Sequence, residues 1–343
     1  MIIVRFAPAH RPADYHPLAA RPFAPFIKRM QRTVVKANKF AFSSAADPQA
    51  DGQEKYENGG NMGAIADSDA VHDIRRILPQ HQSALTLLNG KLQNPAVQSF
   101  RWLDLACGKG QIISQLEENL SANQRQKLAY LGYDINVEHT RTAERMADAL
   151  QFASYSFQHG DMSSFNGVVD SGMKFDFITC TNTAHELQPG AFAALFLDAL
   201  RRLSPKGELF VYDMESLTKP ELGALPWRSA EINTLLNAAF EVLGTSFHVE
   251  PSGWSHSTCK GWSVTIQREY IDKTDEQIGE AQQQISERLE SEIGKILDER
   301  LQECNRMLDS FCRFGAETAD DATAKLLALY EFWALHRAKE VRQ

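Results

Sequence analysis

Residues 103–111 read L-D-L-A-C-G-K-G-Q, and they decide how the rest of the chain is read. A short apolar run ends in two glycines separated by one lysine, and a helix-like run at 112–120 follows. Glycine loses more conformational freedom on folding than any other residue. The pair Gly108 and Gly110 therefore marks a place where the backbone turns sharply or is approached closely. An acid, Asp104, interrupts the apolar run, where a strand buried on both faces has no use for a charge.

Outward from this loop, strands and helices alternate. Strands are predicted at 100–106, 129–134, a run ending near Gln158, Phe175–Thr181 and 208–212. Helices are predicted at 112–120, 140–149, 190–203 and 230–243, with a sharp turn at 204–207 (S-P-K-G). Strands that alternate with helices of ten to fifteen residues form βαβ units and a parallel sheet covered on both faces. Residues 245–269 read as two β runs joined by a Gly/Ser-rich loop, an antiparallel hairpin at the sheet's edge. The predicted fold class is α/β: a doubly wound, mostly parallel seven-stranded sheet with an antiparallel edge hairpin and a C-terminal α-helical extension.

Three segments are expected. Residues 1–66 hold prolines at 8, 12, 17, 22 and 25 and a long polar stretch, which forbid long regular elements and suggest a disordered arm. That arm reads as a basic tail, as upstream sequence ahead of a later start at Met30 or Met62, or as an organellar transit segment. Order is expected from the N-cap pair Asp67-Ser68, with helical pieces interrupted at Pro79 and ended by Gly90. The second segment, 67–270, is the alternating domain. In the third, 271–343, Ile278, Ile285, Leu289, Ile293, Leu297, Leu301, Cys304, Leu308 and Phe311 recur at helical spacing. The stretch at 315–322 breaks the pattern, and a second helix is expected over 323–340. The stripe suits a hairpin packed on its own domain, or a coiled coil that makes a homodimer or holds a partner protein.

The 343 residues are 43% hydrophobic and 23% charged, ordinary for a globular protein. No apolar run is long enough for a membrane helix. Five scattered cysteines without a C-x-x-C pair argue against a disulfide framework or structural zinc and suit a reducing, cytoplasmic setting, with organellar import through residues 1–40 as the alternative. Residues 1–40 carry +7, and since the whole chain is −8, the remainder carries −15. An acidic body is a poor partner for a phosphate backbone. The histidines and acids lack metal-ligand spacing.

The dinucleotide fingerprint G-x-G-x-x-G requires a third glycine, but position 113 is Ile. D-L-A-C-G-K-G instead resembles the first motif of class I S-adenosylmethionine-dependent methyltransferases, roughly D/E-x-x-x-G-x-G, and the similarity continues in order over residues 100–270. The resemblance implies S-adenosylmethionine as cofactor. Gly108, Gly110 and Ala106 would lie against its methionine end, with Asp104 orienting the loop and the ligand's ammonium. Asp134, at the end of Y-L-G-Y-D-I-N, would accept from the ribose hydroxyls, and Ile135 would pack on adenine. In F-Q-H-G-D-M, Asp161 would accept from the adenine amine, with Met162 beside it. Thr181 and Asn182 complete the implied cofactor set. Read without the resemblance, Asp134 and Asp161 are also good helix caps.

After the fourth strand, T-N-T-A-H-E-L replaces the Asn/Asp-Pro-Pro-Tyr/Phe element of amide methyltransferases. His185 with Glu186 resembles the His-acid pair of small-molecule O-methyltransferases, in which a neutral His removes the acceptor's proton. His185 also reads as a helix cap or a pocket wall. Glu215, Trp227, Trp254, His256 and Trp262 fall in segments that either cover the acceptor or simply pack. The expected function is methyl transfer to an O or N atom of a small molecule. An RNA methyltransferase of mRNA-cap type is the alternative disfavoured by charge. The other is a non-catalytic cofactor-binding module that works through its helical tail.

Overall fold

The computed structural model describes residues 79–217, 221, 223–245, 250–256, 259–316 and 318–340. The arm expected at 1–66 and the cap at Asp67-Ser68 lie outside the described residues, as do the side chains of Trp254 and His256. Seven strands form one sheet: β1 (Phe100–Leu105), β2 (Leu128–Asp134), β3 (Ser154–His159), β4 (Phe175–Thr181), β5 (Leu203–Met214), β6 (Ser252–His256) and β7 (Cys259–Gln267). Their order is β3-β2-β1-β4-β5-β7-β6. The first five are parallel, and β7 runs antiparallel to both β5 and β6. The chain winds outward in opposite directions from β1, so a crevice opens at the C-terminal ends of β1, β2 and β4, where ligands bind in doubly wound sheets.

Successive strand residues point to opposite faces, and this alternation builds two cores. On one face Trp102, Tyr130, Phe177, Phe210 and Tyr212 pack with helix α1 (Pro79–Leu92) and helix α2 (Val137–Ala149). On the other, Leu103, Leu105, Leu131, Tyr133, Ile178, Leu209 and Val211 pack under α3 (Pro189–Arg202) and α4 (Ser229–Leu243). Trp227 and Trp262 are fully buried packing residues here. The indole N–H of Trp262 donates to the Trp227 carbonyl at 2.7 Å, and Trp227 stacks on Phe192 at 6.1 Å.

The second core extends into the C-terminal helices. Helix α5 (Asp275–Phe314) starts at a capping box between Thr274 and Gln277, and α6 (Ala319–Glu340) returns along it. Ile278, Ile285, Leu289, Ile293, Leu297 and Cys304 of α5 belong to the same buried cluster as the sheet. The apolar stripe thus meets its own domain.

Several local expectations are corrected. The helix expected at 112–120 is two single turns, Ile113–Gln115 and Leu116–Asn119. Helix α1 runs through Gly90, which faces open space and needs no cap there. The turn expected at 204–207 survives as an irregularity inside β5, where the pairing jumps from Phe175↔Leu203 to Phe177↔Glu208. Pro205 has no N–H to give a ladder. Helix α6 begins at Ala319 rather than 323, beyond Gly315 at φ +78°. Among the described residues no helix is long and apolar enough to cross a membrane.

Candidate active site

The glycine loop leaves β1 through three left-handed residues: Ala106 at φ +54°, Gly108 at +54° and Gly110 at +85°. L-residues with a Cβ rarely adopt this region, so Ala106 is strained. The two glycines serve different ends. A Cβ at Gly110 would lie 3.1 Å from the Cα of Ala143 and 3.0 Å from Ile113, so this glycine lets the loop close on α2. A Cβ at Gly108 would come 2.6 Å from Oε1 of Gln111, the far end of a flexible side chain rather than packed main chain. Gly108 is therefore covered by a group that can swing aside for an approaching ligand.

Asp134 ends β2 and reaches across to the loop. One of its oxygens accepts the Gly108 N–H at 2.8 Å, and the other accepts the Asn136 N–H at 2.8 Å. Burial raises its carboxyl above the ordinary value, opposed by those two N–H groups. A carboxylate offers about four lone-pair sites, so two remain for hydroxyls. Ile135, next in sequence, is 45% exposed, an apolar surface left bare at the strand end. The loop after β3 joins the same edge: Gly160 N–H donates to the Asp134 carbonyl at 3.2 Å, and the Tyr133 hydroxyl donates to the Asp161 carbonyl at 3.1 Å.

Two of the predicted side chains are engaged elsewhere. Asp104 is buried on the α1/α2 face, where it accepts from Thr179 Oγ1 at 2.6 Å and the Tyr130 hydroxyl at 3.0 Å, with Trp102 donating to Thr179 at 2.8 Å. It braces β1 between β2 and β4 rather than bonding to the loop. Burial pushes its carboxyl up to about 7, against the pull of those hydroxyls. Asp161 caps the turn Met162–Ser164, accepting from the Ser163 N–H at 2.8 Å and its hydroxyl at 2.7 Å. Met162 is buried in the core.

Beyond β4, Thr181 pairs with Tyr212, and Asn182 takes a left-handed φ of +55° with its N–H on the Tyr212 carbonyl at 2.9 Å. The Asn182 side-chain oxygen is buried without a hydrogen-bond partner, which an incoming donor would satisfy. The turn Ala184–Glu186 then buries His185. Its ring Nδ1 is 2.6 Å from Asp213 Oδ1, and its backbone N–H donates to Asp213 Oδ2 at 2.7 Å. Its Nε2 lies 3.4 Å from Glu221 and 3.9 Å from Glu186. Burial alone would depress the imidazole, but Asp213, with Glu221 and Glu186, holds it well above the usual range. An imidazolium donates protons and cannot take one. Glu186, by contrast, is 30% exposed, and its carboxyl is pushed up to about 7 by burial, opposed by His185.

Asp213, Glu221, Tyr130 and Thr179 were not singled out in the sequence. Asp213 had a signal: it is an acid next to the last residue of β5, much as Asp134 is the last of β2. Glu221 had none, since it lies in the connection after β5 without periodicity. Among the described residues no group of three or more His, Cys, Asp or Glu could hold a metal ion.

The family described as a methyltransferase domain matches residues 97–277, from just before β1 into the first turn of α5. Solved structures with similar folds include the magnesium protoporphyrin IX methyltransferase of Synechocystis PCC 6803 with bound S-adenosylmethionine, at 14% identity and TM-score 0.42, over 66% of this chain and 99% of that one. The N-methyltransferase NodS of Bradyrhizobium japonicum WM9 aligns at 12% identity and TM-score 0.41, over 60% and 98%. The CurJ carbon methyltransferase aligns at 14% and 0.41, over 55% of this chain and 54% of its own, so this chain spans about half of that one. No curated protein matches the sequence.

Proposed function

The chain belongs to the methyltransferase domain family, and on that premise we propose that it transfers a methyl group from S-adenosylmethionine to an oxygen or nitrogen of a small molecule. One observation carries this reading: the Asp134 carboxylate bonded to the Gly108 N–H. That bond joins the acid at the end of β2 to the glycine loop after β1, beside the point where the sheet reverses its winding, the place for a nucleoside ligand in this topology.

The residues present fit the cofactor. Asp134 has lone pairs for ribose hydroxyls, Ile135 offers an apolar face, and the buried Asn182 oxygen lacks a donor. When bound, S-adenosylmethionine supplies an electrophilic methyl on a sulfonium that leaves as a neutral thioether. The chain's own work is to hold the acceptor in line and keep water out. Glu186, with its carboxyl at about 7 and access to the crevice, takes the acceptor's proton. His185 stays protonated, fixed by Asp213 on one side and facing Glu221 on the other. This replaces the role of base expected for His185. The acids around the crevice oppose a phosphate backbone and so support a small acceptor over RNA.

Calorimetry with S-adenosylhomocysteine tests the reading. Binding that Asp134→Ala abolishes is expected, and no binding to the unsubstituted chain overturns it. Incubation of a metabolite extract with methyl-labelled S-adenosylmethionine then identifies the acceptor. Label found only in RNA would reverse the choice of acceptor class.

A further inference from the structure

In the connection from β5 to α4, residues 223–227 lie beside His185 and are bonded to the C-terminal helices. Leu225 N–H donates to the His185 carbonyl at 2.7 Å. One residue on, the Pro226 carbonyl accepts from Nη1 of Arg300 at 2.7 Å, and Trp227 is pinned by Trp262. Arg300 lies on α5 and is 3% exposed. Its Nε donates to Glu331 of α6 at 3.0 Å, its Nη2 contacts the same carboxylate, and its Nη1 lies 3.4 Å from Glu231 at the start of α4. A buried guanidinium is costly unless such partners surround it. Here its planar fork bonds a loop carbonyl, one helix and the start of another at once. On the loop's other side, Glu221 stands 3.4 Å from His185 Nε2.

We propose that Arg300 is a positioning residue for the acceptor side of the site: from α5 it fixes residues 223–227, and through them Glu221, against His185. The C-terminal hairpin is then a wall of the site. The word acceptor rests on the methyltransferase reading, whereas the mechanical coupling of Arg300 to His185 does not. Neither Arg300 nor Glu331 touches the glycine loop, Asp134 or Asn182, so the cofactor side is independent of this device.

Arg300→Lys tests it, because a lysine keeps the charge opposite Glu331 and Glu231 but cannot reproduce the fork. Three measurements are made on the full chain. S-adenosylhomocysteine affinity by calorimetry is expected to stay within about twofold of the unsubstituted protein, since the loop and Asp134 are untouched. Hydrogen exchange across residues 221–227 is expected to accelerate about tenfold or more as the Pro226 bond is lost. The His185 imidazole signals, followed by NMR with labelled histidine, are expected to shift and to deprotonate at lower pH. Asp213 of β5 and Glu186 of its own turn remain, but Glu221 has withdrawn.

A folded variant with a lower melting temperature, unchanged exchange at 221–227 and unmoved His185 signals would overturn the proposal and leave Arg300 a stabilising residue only. If Arg300→Lys fails to fold, Glu331→Gln removes the guanidinium's strongest anchor and is expected to give the same changes in smaller measure. Unmoved signals there count equally against the proposal. Absence of S-adenosylhomocysteine binding in the unsubstituted chain is a different failure, that of the methyltransferase reading. The exchange and imidazole measurements judge the coupling by themselves.

Discussion

The two glycines of the loop should fail in different ways when each is changed to alanine. Both have positive φ, which costs an L-residue about 1–2 kcal/mol. At Gly110 the new methyl also arrives 3.1 Å from the Cα of Ala143, main chain of a packed helix that cannot step aside. Overpacking of this kind adds about 1–3 kcal/mol. Gly110→Ala should therefore lose roughly 2–5 kcal/mol of stability. At Gly108 the atoms nearest the methyl belong to the end of the Gln111 side chain, which can rotate away, so Gly108→Ala should lose about 1–2 kcal/mol. Affinity should rank the other way. Gly108→Ala puts a methyl beside the N–H that holds Asp134 and should weaken S-adenosylhomocysteine at least about tenfold, or 1.4 kcal/mol. The folded fraction of Gly110→Ala should bind within a few-fold of the parent. Urea unfolding and calorimetry on the two variants decide it. Equal losses of stability, or parental affinity in Gly108→Ala, would refute the division of labour.

Other outcomes follow from the buried charges. Asp104 keeps its proton in the folded chain up to about 7, whereas the unfolded chain loses it near 3.8. Ionisation of the unfolded state alone makes this group lower stability as pH rises from about 4 to about 7. Asp104→Asn should flatten that part of the pH profile of the urea midpoint; an unchanged slope would count against the assignment. Asp213→Asn leaves His185 without its nearest counter-charge and should cost about 3–5 kcal/mol. His185→Gln in the same chain should recover part of that loss, as read by thermal unfolding. His185 itself has a raised value in the folded chain. Its stabilising effect is therefore full below its unfolded value near 6.5 and disappears as pH climbs through the higher folded one. Leu297→Ala on α5, at a fully buried position, should lose about 2–5 kcal/mol; a loss below 1 kcal/mol would mean that the helix is not part of the core.

Much of this architecture was legible because it rests on local rules. Alternation of strand and helix reports a parallel sheet, and Gly108 and Gly110 mark the loop, since only the chain's own geometry is needed to explain them. What stayed hidden depended on distant partners. Asp104 looked like a ligand acid until Tyr130 and Thr179, brought beside it by strand register, supplied its hydrogen bonds. His185 read as a base because its ordinary value suits one; Asp213 and Glu221 from separate segments, with the neighbouring Glu186, hold it above that range. The S-P-K-G stretch carries strong turn residues, but pairing with β4 draws it into β5 with a break in register. A short-range signal fails where a long-range contact is stronger.

The family match ends at residue 277, three residues into α5. That boundary describes shared ancestry and not a unit that can stand by itself. Beyond it Ile278, Ile285, Leu289, Ile293 and Leu297 bury their side chains in the same core as the sheet. At about 1.5–3 kcal/mol each, they contribute roughly 10 kcal/mol, comparable with the entire net stability of an ordinary domain. A chain cut at the family's edge would expose the undersides of α3 and α4 as a sticky seam. The C-terminal helices are the floor on which the sheet and its two covering helices rest.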